Sequence, residues 1–337
     1  MARTNSASDW NFCAEFAVKW LNLHKSNEVP YLKMRRTGFL KTLGLALIGF
    51  SLPARAGTGN RYQDKYTQLV RLSEDISAAP IPTAQMRGDI AAVFDSLFSD
   101  VQLADIEGDT ESLKILFDAA NLTAFYSAQF VHAELMRKCF ALLREAGYED
   151  MARGRDVYQS FIAAEAFIQA RAFADMYPQL ALPPLPAVTE TPIGTELQEW
   201  LLDRTGANMR GTEFSLPSGP FLIIVSSPHC HFSLASMGAI AKMPDFRKVQ
   251  PRFKWLMRME RNFDAPWLAK WNAAYPQFRV SIARRASDWR AITHWSTPNF
   301  YFFKDGVLAF RFSGWPAEGN GELFDRGMKA AGFRPAV

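Results

Sequence analysis

Residues 220–243, PFLIIVSSPHCHFSLASMGAIAKM, decide how this chain is read. The run from Phe221 to Val225 has no polar position, the pattern of a strand buried on both faces. Ser226, Ser227 and Pro228 close it, and from Phe232 onward the spacing becomes that of a helix. One cysteine, Cys230, stands at the junction between His229 and His231.

Downstream, strand and helix patterns alternate. EFSL (213–216) reads as a strand and FKWLMRM (253–259) fits a strand or a helix. APWLAKWNAAY (265–275) reads as a helix, and FRVSIARR (278–285) alternates as a strand does. NFYFFKDGVLAFRFSG (299–314) is two strands joined at Asp305-Gly306, a strong hairpin signal. GELFDRGMKAAGF (321–333) closes the chain as an amphipathic helix. This succession predicts an α/β sandwich with a mixed sheet over residues 197–337.

Upstream, residues 57–179 are helical throughout. YTQLVRLSEDI (66–76) repeats apolar residues at three and four, and TAQMRGDIAAVFDSLFSDV (83–101) does so behind a candidate Thr83 cap. Alanines alternate with aromatics in the later segments without a 34-residue period, which predicts an all-α bundle or short helical-repeat domain. Cys139 shares a helical face with Leu135, Leu142 and Leu143 and reads as a buried structural cysteine. The Pro- and Thr-rich stretch 180–196 reads as a linker.

Residues 1–56 read as a leader. MRRTGFLKTLGLALIGFSLPARA (34–56) has a basic start, a short apolar run and a small-x-small end, the composition of a signal peptide, with Met34 as the expected true start. The apolar run is about half of the ~20 residues a bilayer crossing needs. The expectation is therefore export to the periplasm of a bacterial envelope, with membrane contact only during export. Of the chain's 38 Lys/Arg and 34 Asp/Glu, eight and three fall in residues 1–56, so the remainder is close to neutral. That balance removes the electrostatic case for nucleic-acid binding, and Arg284-Arg285 and RFKWLMRMER (252–261) read as solvated faces. No cofactor is expected.

Two stretches, FLIIVSSPHCHFS (221–233) and STPNFYFFKDGVLAFRFSGW (296–315), resemble the thioredoxin-like superfamily, in particular its periplasmic DsbA- and DsbC-like branch. The resemblance covers residues 197–337 and implies a thioredoxin-like fold. It makes Pro298 the cis-proline facing the active site, and Thr297 the residue that offers its backbone to an extended peptide. Trp295 would wall the groove. The Cys-x-x-Cys motif has two registers. In one, Ser227-Pro228-His229-Cys230 places Ser227 at the nucleophile and Cys230 at the second, buried cysteine. In the other, Cys230-His231-Phe232-Ser233 keeps the nucleophile and loses the resolving thiol. Neither contains the pair that dithiol cycling needs. His229 would tune thiol acidity.

Three functions follow as expectations. The first is a protein-binding or assembly factor with a degenerate redox motif, acting on envelope proteins or extended peptides. The second is a monothiol thiol–disulfide oxidoreductase or isomerase using Cys230. The third is copper or zinc delivery through Cys230 with His229, His231 or His294.

Overall fold

The computed structural model describes residues 61–148, 150–190 and 197–333, all within one compact unit, Thr58–Val337. The export signal read at 34–56, and Cys13, lie outside the described residues. None of the described helices is long and apolar enough to cross a membrane.

The helical part comprises α1 (Arg61–Ala78), α2 (Thr83–Phe98), α3 (Leu103–Ile106), α4 (Thr110–Ser127), α5 (Phe130–Glu145), α6 (Met151–Ala163) and α7 (Phe167–Met176). Asp109 and Asp150 start α4 and α6 by accepting backbone N–H bonds from Ser112 and Arg153, each 3.1 Å. Such caps satisfy donors that a helix start leaves open. Thr83 does not cap α2. Its hydroxyl instead accepts from Trp295 N at 3.0 Å, and its N–H donates to Thr293 O at 2.8 Å.

The α/β part comprises β1 (Ala187–Thr189), β2 (Leu197–Leu202), β3 (Asn208–Phe214), β4 (Pro220–Val225), α8 (His231–Ala241), α9 (Phe246–Val249), β5 (Phe253–Arg258), α10 (Ala265–Ala274), β6 (Val280–Ala283), β7 (Asn299–Lys304), β8 (Val307–Ser313) and α11 (Gly321–Ala331). One sheet runs β1-β3-β2-β6-β5-β4-β7-β8. Within it β6, β5 and β4 are parallel, and β7 and β8 return antiparallel. With α8 leaving β4 and α11 following the β7–β8 hairpin, this is a thioredoxin-like arrangement behind a helical part.

The hairpin turns as its sequence demands, with Asp305 at φ 51° and Gly306 at φ 79°. The β2–β3 hairpin extends the sheet beyond what the EFSL pattern marked, and β1, drawn from the Pro-rich stretch, pairs with β3.

Each sheet face buries its own core. Leu222, Ile224, Trp255, Phe300 and Phe302 pack under α8, α10 and α11 in a core continuous with that of the helical part. Phe221, Ile223, Val225, Leu256 and Tyr301 face the other way, against Trp289, Ile292 and Trp295 from the β6–β7 connection.

α11 comes so near the sheet that a Cβ on Gly327 would sit 2.5 Å from Phe302 Cδ2 and Cζ. Phe302 is fully buried, so its ring has no room to yield. Gly327→Ala should therefore lower stability by about 1–3 kcal/mol through overpacking, against the ~1 kcal/mol that alanine gains in an open helix. Urea unfolding of the two proteins measures the sign.

Candidate thiol site

The strand β4 ends at Val225, and Ser226 N donates to Leu256 O at 2.8 Å, carrying the β4–β5 pairing one residue further. The chain then folds over Ser227. Ser227 O accepts from Cys230 N at 2.9 Å, and Ser227 Oγ accepts from His229 N at 3.3 Å. Cys230 is the residue that caps α8, and its carbonyl accepts the first helical bond, from Leu234 N at 3.0 Å. The N–H groups of the first turn therefore open toward the thiol.

The Thr297–Pro298 bond is cis. The Cys230 thiol donates to Thr297 O at 3.4 Å, so the half-buried sulfur lies against the turn that precedes Pro298. That turn is fastened by Asn299 Nδ2, which donates to Ser296 O at 2.6 Å, and by Gly314 N, which donates to Pro298 O at 2.8 Å.

Ser227 and Ser233 are both buried, at 4% and 0% exposure. Ser227 lies before the helix, beneath the loop, with its hydroxyl donating to Glu260 Oε2 at 3.3 Å. Ser233 lies in the first turn of α8 and accepts from Ser227 N at 3.4 Å. Of the two registers, the geometry has Cys230 at the exposed start of the helix and Ser233 one turn inside it.

The histidines do not converge on the sulfur. His229 stacks on Trp267, centroids 4.1 Å apart, and His231 lies against Phe232. His294 Nδ1 faces Arg311 Nη1 at 2.9 Å, and burial together with the Arg311 charge lowers its basicity. Among the described residues no group of three or more His, Cys, Asp or Glu is placed to hold a metal. Trp295 is buried in the second core, where it supports the turn from behind. A hollow of about 920 Å³ is lined by Phe214, Ile223, Trp289 and Phe303 among others and does not include the thiol.

Several residues beside the site were read from sequence as a solvated face. Arg261 donates to Asn121 Oδ1 at 2.7 Å and to Asp156 O at 3.0 Å, which ties the loop after β5 to α4 and α6. Arg284 is 6% exposed, lies over the Trp200 ring and bonds Glu190 Oε2 at 3.1 Å. Arg261 follows β5 and Arg284 follows β6, and the partners each one meets are tertiary facts with no signature in the local pattern. Glu260 had no sequence signal. Burial pushes its carboxyl up, with the Arg258 charge and the Ser227 hydroxyl pulling the other way.

Cys139 is fully buried in the helical core, and burial pushes its thiol up to about 12. In native protein treated with iodoacetamide, Cys230 should be alkylated and Cys139 left intact until denaturant is added. Peptide mapping reads both, and native labelling of Cys139 at a comparable rate would contradict the burial argument.

Glu260 gives a pH signature. A carboxyl raised in the folded state contributes stability that is complete below its unfolded value of about 4.3 and is lost as pH rises through the folded value. Glu260→Gln removes that loss, so its gain in Tm over the parent should grow from about pH 5 to about pH 8. Calorimetry at both ends measures it; a gain independent of pH would count against a buried, raised carboxyl.

No protein-family model matches this chain, and no curated protein matches it in sequence. One solved structure, a thioredoxin-like protein from Bacteroides caccae ATCC 43185, is similar at 10% identity with a TM-score of 0.27, covering 76% of this chain and 95% of its own.

Proposed function

We propose that this thioredoxin-like protein is a single-thiol disulfide-exchange protein, with Cys230 as nucleophile and extended peptides as partners. The observation that carries this reading is the position of Cys230 at the open start of α8, its sulfur 3.4 Å from the carbonyl of Thr297. Sulfur at a helix start lies beside N–H groups that the helix leaves open, at the positive end of the macrodipole. Thr297 is partly exposed, and its N–H has no acceptor among the described residues, so an extended backbone can bond there. The exposed Phe232 and the His229–Trp267 stack give that backbone apolar flanks.

The exchange step is simple. The Cys230 thiolate attacks one sulfur of a partner disulfide, the new S–S bond forms, and the other partner sulfur leaves as a thiolate and takes a proton from water. Ser233 stands where a resolving thiol would be, so the mixed disulfide persists until an external thiol removes it. The compartment proposed for this chemistry is the bacterial envelope, on the strength of the signal-like residues 34–56; such a compartment permits disulfides.

A holding role is the second reading, favoured by Phe125, Phe130, Val131 and Ile168, exposed by 44–76% on the helical part. One experiment separates the two. Full-length protein is incubated with a peptide disulfide, and covalent adducts are resolved without reductant. Adducts on Cys230 that Ser233→Cys shortens in lifetime by tenfold or more support exchange, because the new thiol sits one helical turn from the first. Partners that co-purify equally well with Cys230→Ser, and no adduct with the parent, would establish holding instead.

A further inference from the structure

The two faces of the sheet are covered differently. Side chains of α8, α10 and α11 fill the core on one face. Among the described residues no α-helix contributes to the core on the other face, which the β6–β7 connection closes with Trp289, Ile292 and Trp295. Between that connection and the sheet lies the hollow of about 920 Å³. Pockets for small molecules run from roughly 300 to 1,000 Å³.

The lining is graded from apolar and buried to charged and exposed. Ile223, Trp289, Ile292 and Phe303 are buried, at 1–4% exposure. Leu197, Phe214 and Leu216 are half-buried beside them, while Arg285, Ser287 and Arg290 are exposed and form the mouth. The walls are braced from outside the hollow. Trp289 Nε1 donates to Gln198 O at 3.0 Å, and Phe214 stacks on the Trp289 ring with centroids 5.5 Å apart. Lys254 Nζ lies 4.3 Å from the Phe214 ring and is ion-paired to Glu199 at 2.5 Å. The connection is pinned at its start by the bond from Arg285 N to Glu165 and towards its end by Thr83.

The charges at the mouth do not cancel. Asp288 is met by Arg285 Nε at 3.5 Å and by the Ser287 hydroxyl at 3.4 Å. The Arg290 side chain lines the same hollow and has no hydrogen-bond acceptor or ion-pair partner among the described residues. A guanidinium fork suits a carboxylate, which it binds with two parallel bonds. A cationic head would instead meet two arginines, and a molecule charged along its length would have to bury charge against Ile223 and Phe303. The graded lining therefore matches a molecule with one anionic end and an apolar body.

We propose that this hollow binds a single-chain carboxylate, its hydrocarbon tail against Ile223, Ile292 and Phe303 and its head at Arg290. The site shares no residue with the thiol site and stands whether or not Cys230 exchanges disulfides.

Calorimetric titration of the full chain with decanoate, and with neutral decanamide, tests the head and the tail separately. Saturable binding of decanoate at one site is expected, and its absence overturns the proposal. Arg290→Gln should weaken decanoate about fivefold or more, the scale of an ion pair at a pocket mouth, and leave decanamide within twofold. Equal effects on the two ligands, or none on either, overturn the assignment of the head. Ala291→Trp, at a half-buried position of the lining, should abolish binding of both with Tm preserved; unchanged binding in that folded variant puts the ligand elsewhere and overturns the site. Should the tryptophan variant fail to fold, the parent decides alone. Stearate carrying a nitroxide near its tail end should broaden the methyl NMR signals of Ile223 and Ile292 before those of Val131 and Ile168, which are exposed on the helical part. The reverse order overturns the site in favour of that helical surface.

Discussion

The pairing of β4 with β7 is the constraint on which the site depends. Their antiparallel register sets Val225 opposite Asn299 and Pro220 opposite Lys304. The end of the strand that runs into Cys230 therefore meets the start of the strand that follows Pro298. Register in a two-sided sheet is enforced by both cores at once. Leu222 and Ile224 face the helices, while Phe221, Ile223 and Val225 face Trp289 and Trp295. A slip of one residue would exchange the two sets and empty both cores of their fitted side chains. The contact between Cys230 and Thr297 is thus fixed by packing several residues away, and only finished locally by Asn299 and Gly314.

The helical part is built into this arrangement. Glu165 and Arg285 both hold left-handed backbone, at φ 56° and φ 48°, which costs a non-glycine residue about 1–2 kcal/mol. They meet each other: the Glu165 carboxylate accepts from Arg285 N and, on its other oxygen, from Trp200 Nε1. The strained turn after α6 is what aims that carboxylate at the sheet, and the bonds it makes offset the strain. Thr83 completes the same logic from α2, giving up a cap to hold Thr293 and Trp295 just ahead of the Thr297–Pro298 turn. The seam thereby positions the turn that faces the thiol.

This explains which features could be read from sequence. The buried strand, the helix after it and the Asp305-Gly306 hairpin are local patterns, written in hydrophobic period and turn chemistry, and the fold follows from their order. The candidate thiol stands at the junction of two such patterns, whereas Pro298 was marked only by the resemblance of residues 296–315 to the thioredoxin-like superfamily. The register of the motif was not legible, because only two residues of loop path, Pro228 and His229, separate Ser227 from the capping Cys230, and the backbone bond from Cys230 N to Ser227 O leaves no mark in composition. The seam was invisible altogether. Arg258, Glu260 and Arg261 sit in a charged run that looks solvated, and only the docking of α2, α4 and α6 changes their surroundings.

Ser233 bears on how the missing thiol is to be understood. Its hydroxyl accepts from Ser227 N, at the base of the loop that carries the site, and it is fully buried. A thiol there would be a weak acceptor and would leave that N–H poorly satisfied, whereas a hydroxyl accepts well. The serine is therefore an integrated part of the loop, supporting the very turn that presents Cys230. On the exchange reading, the same bond that steadies the nucleophile takes the place of an internal resolving step, and the chemistry has to be completed by a thiol from outside the chain.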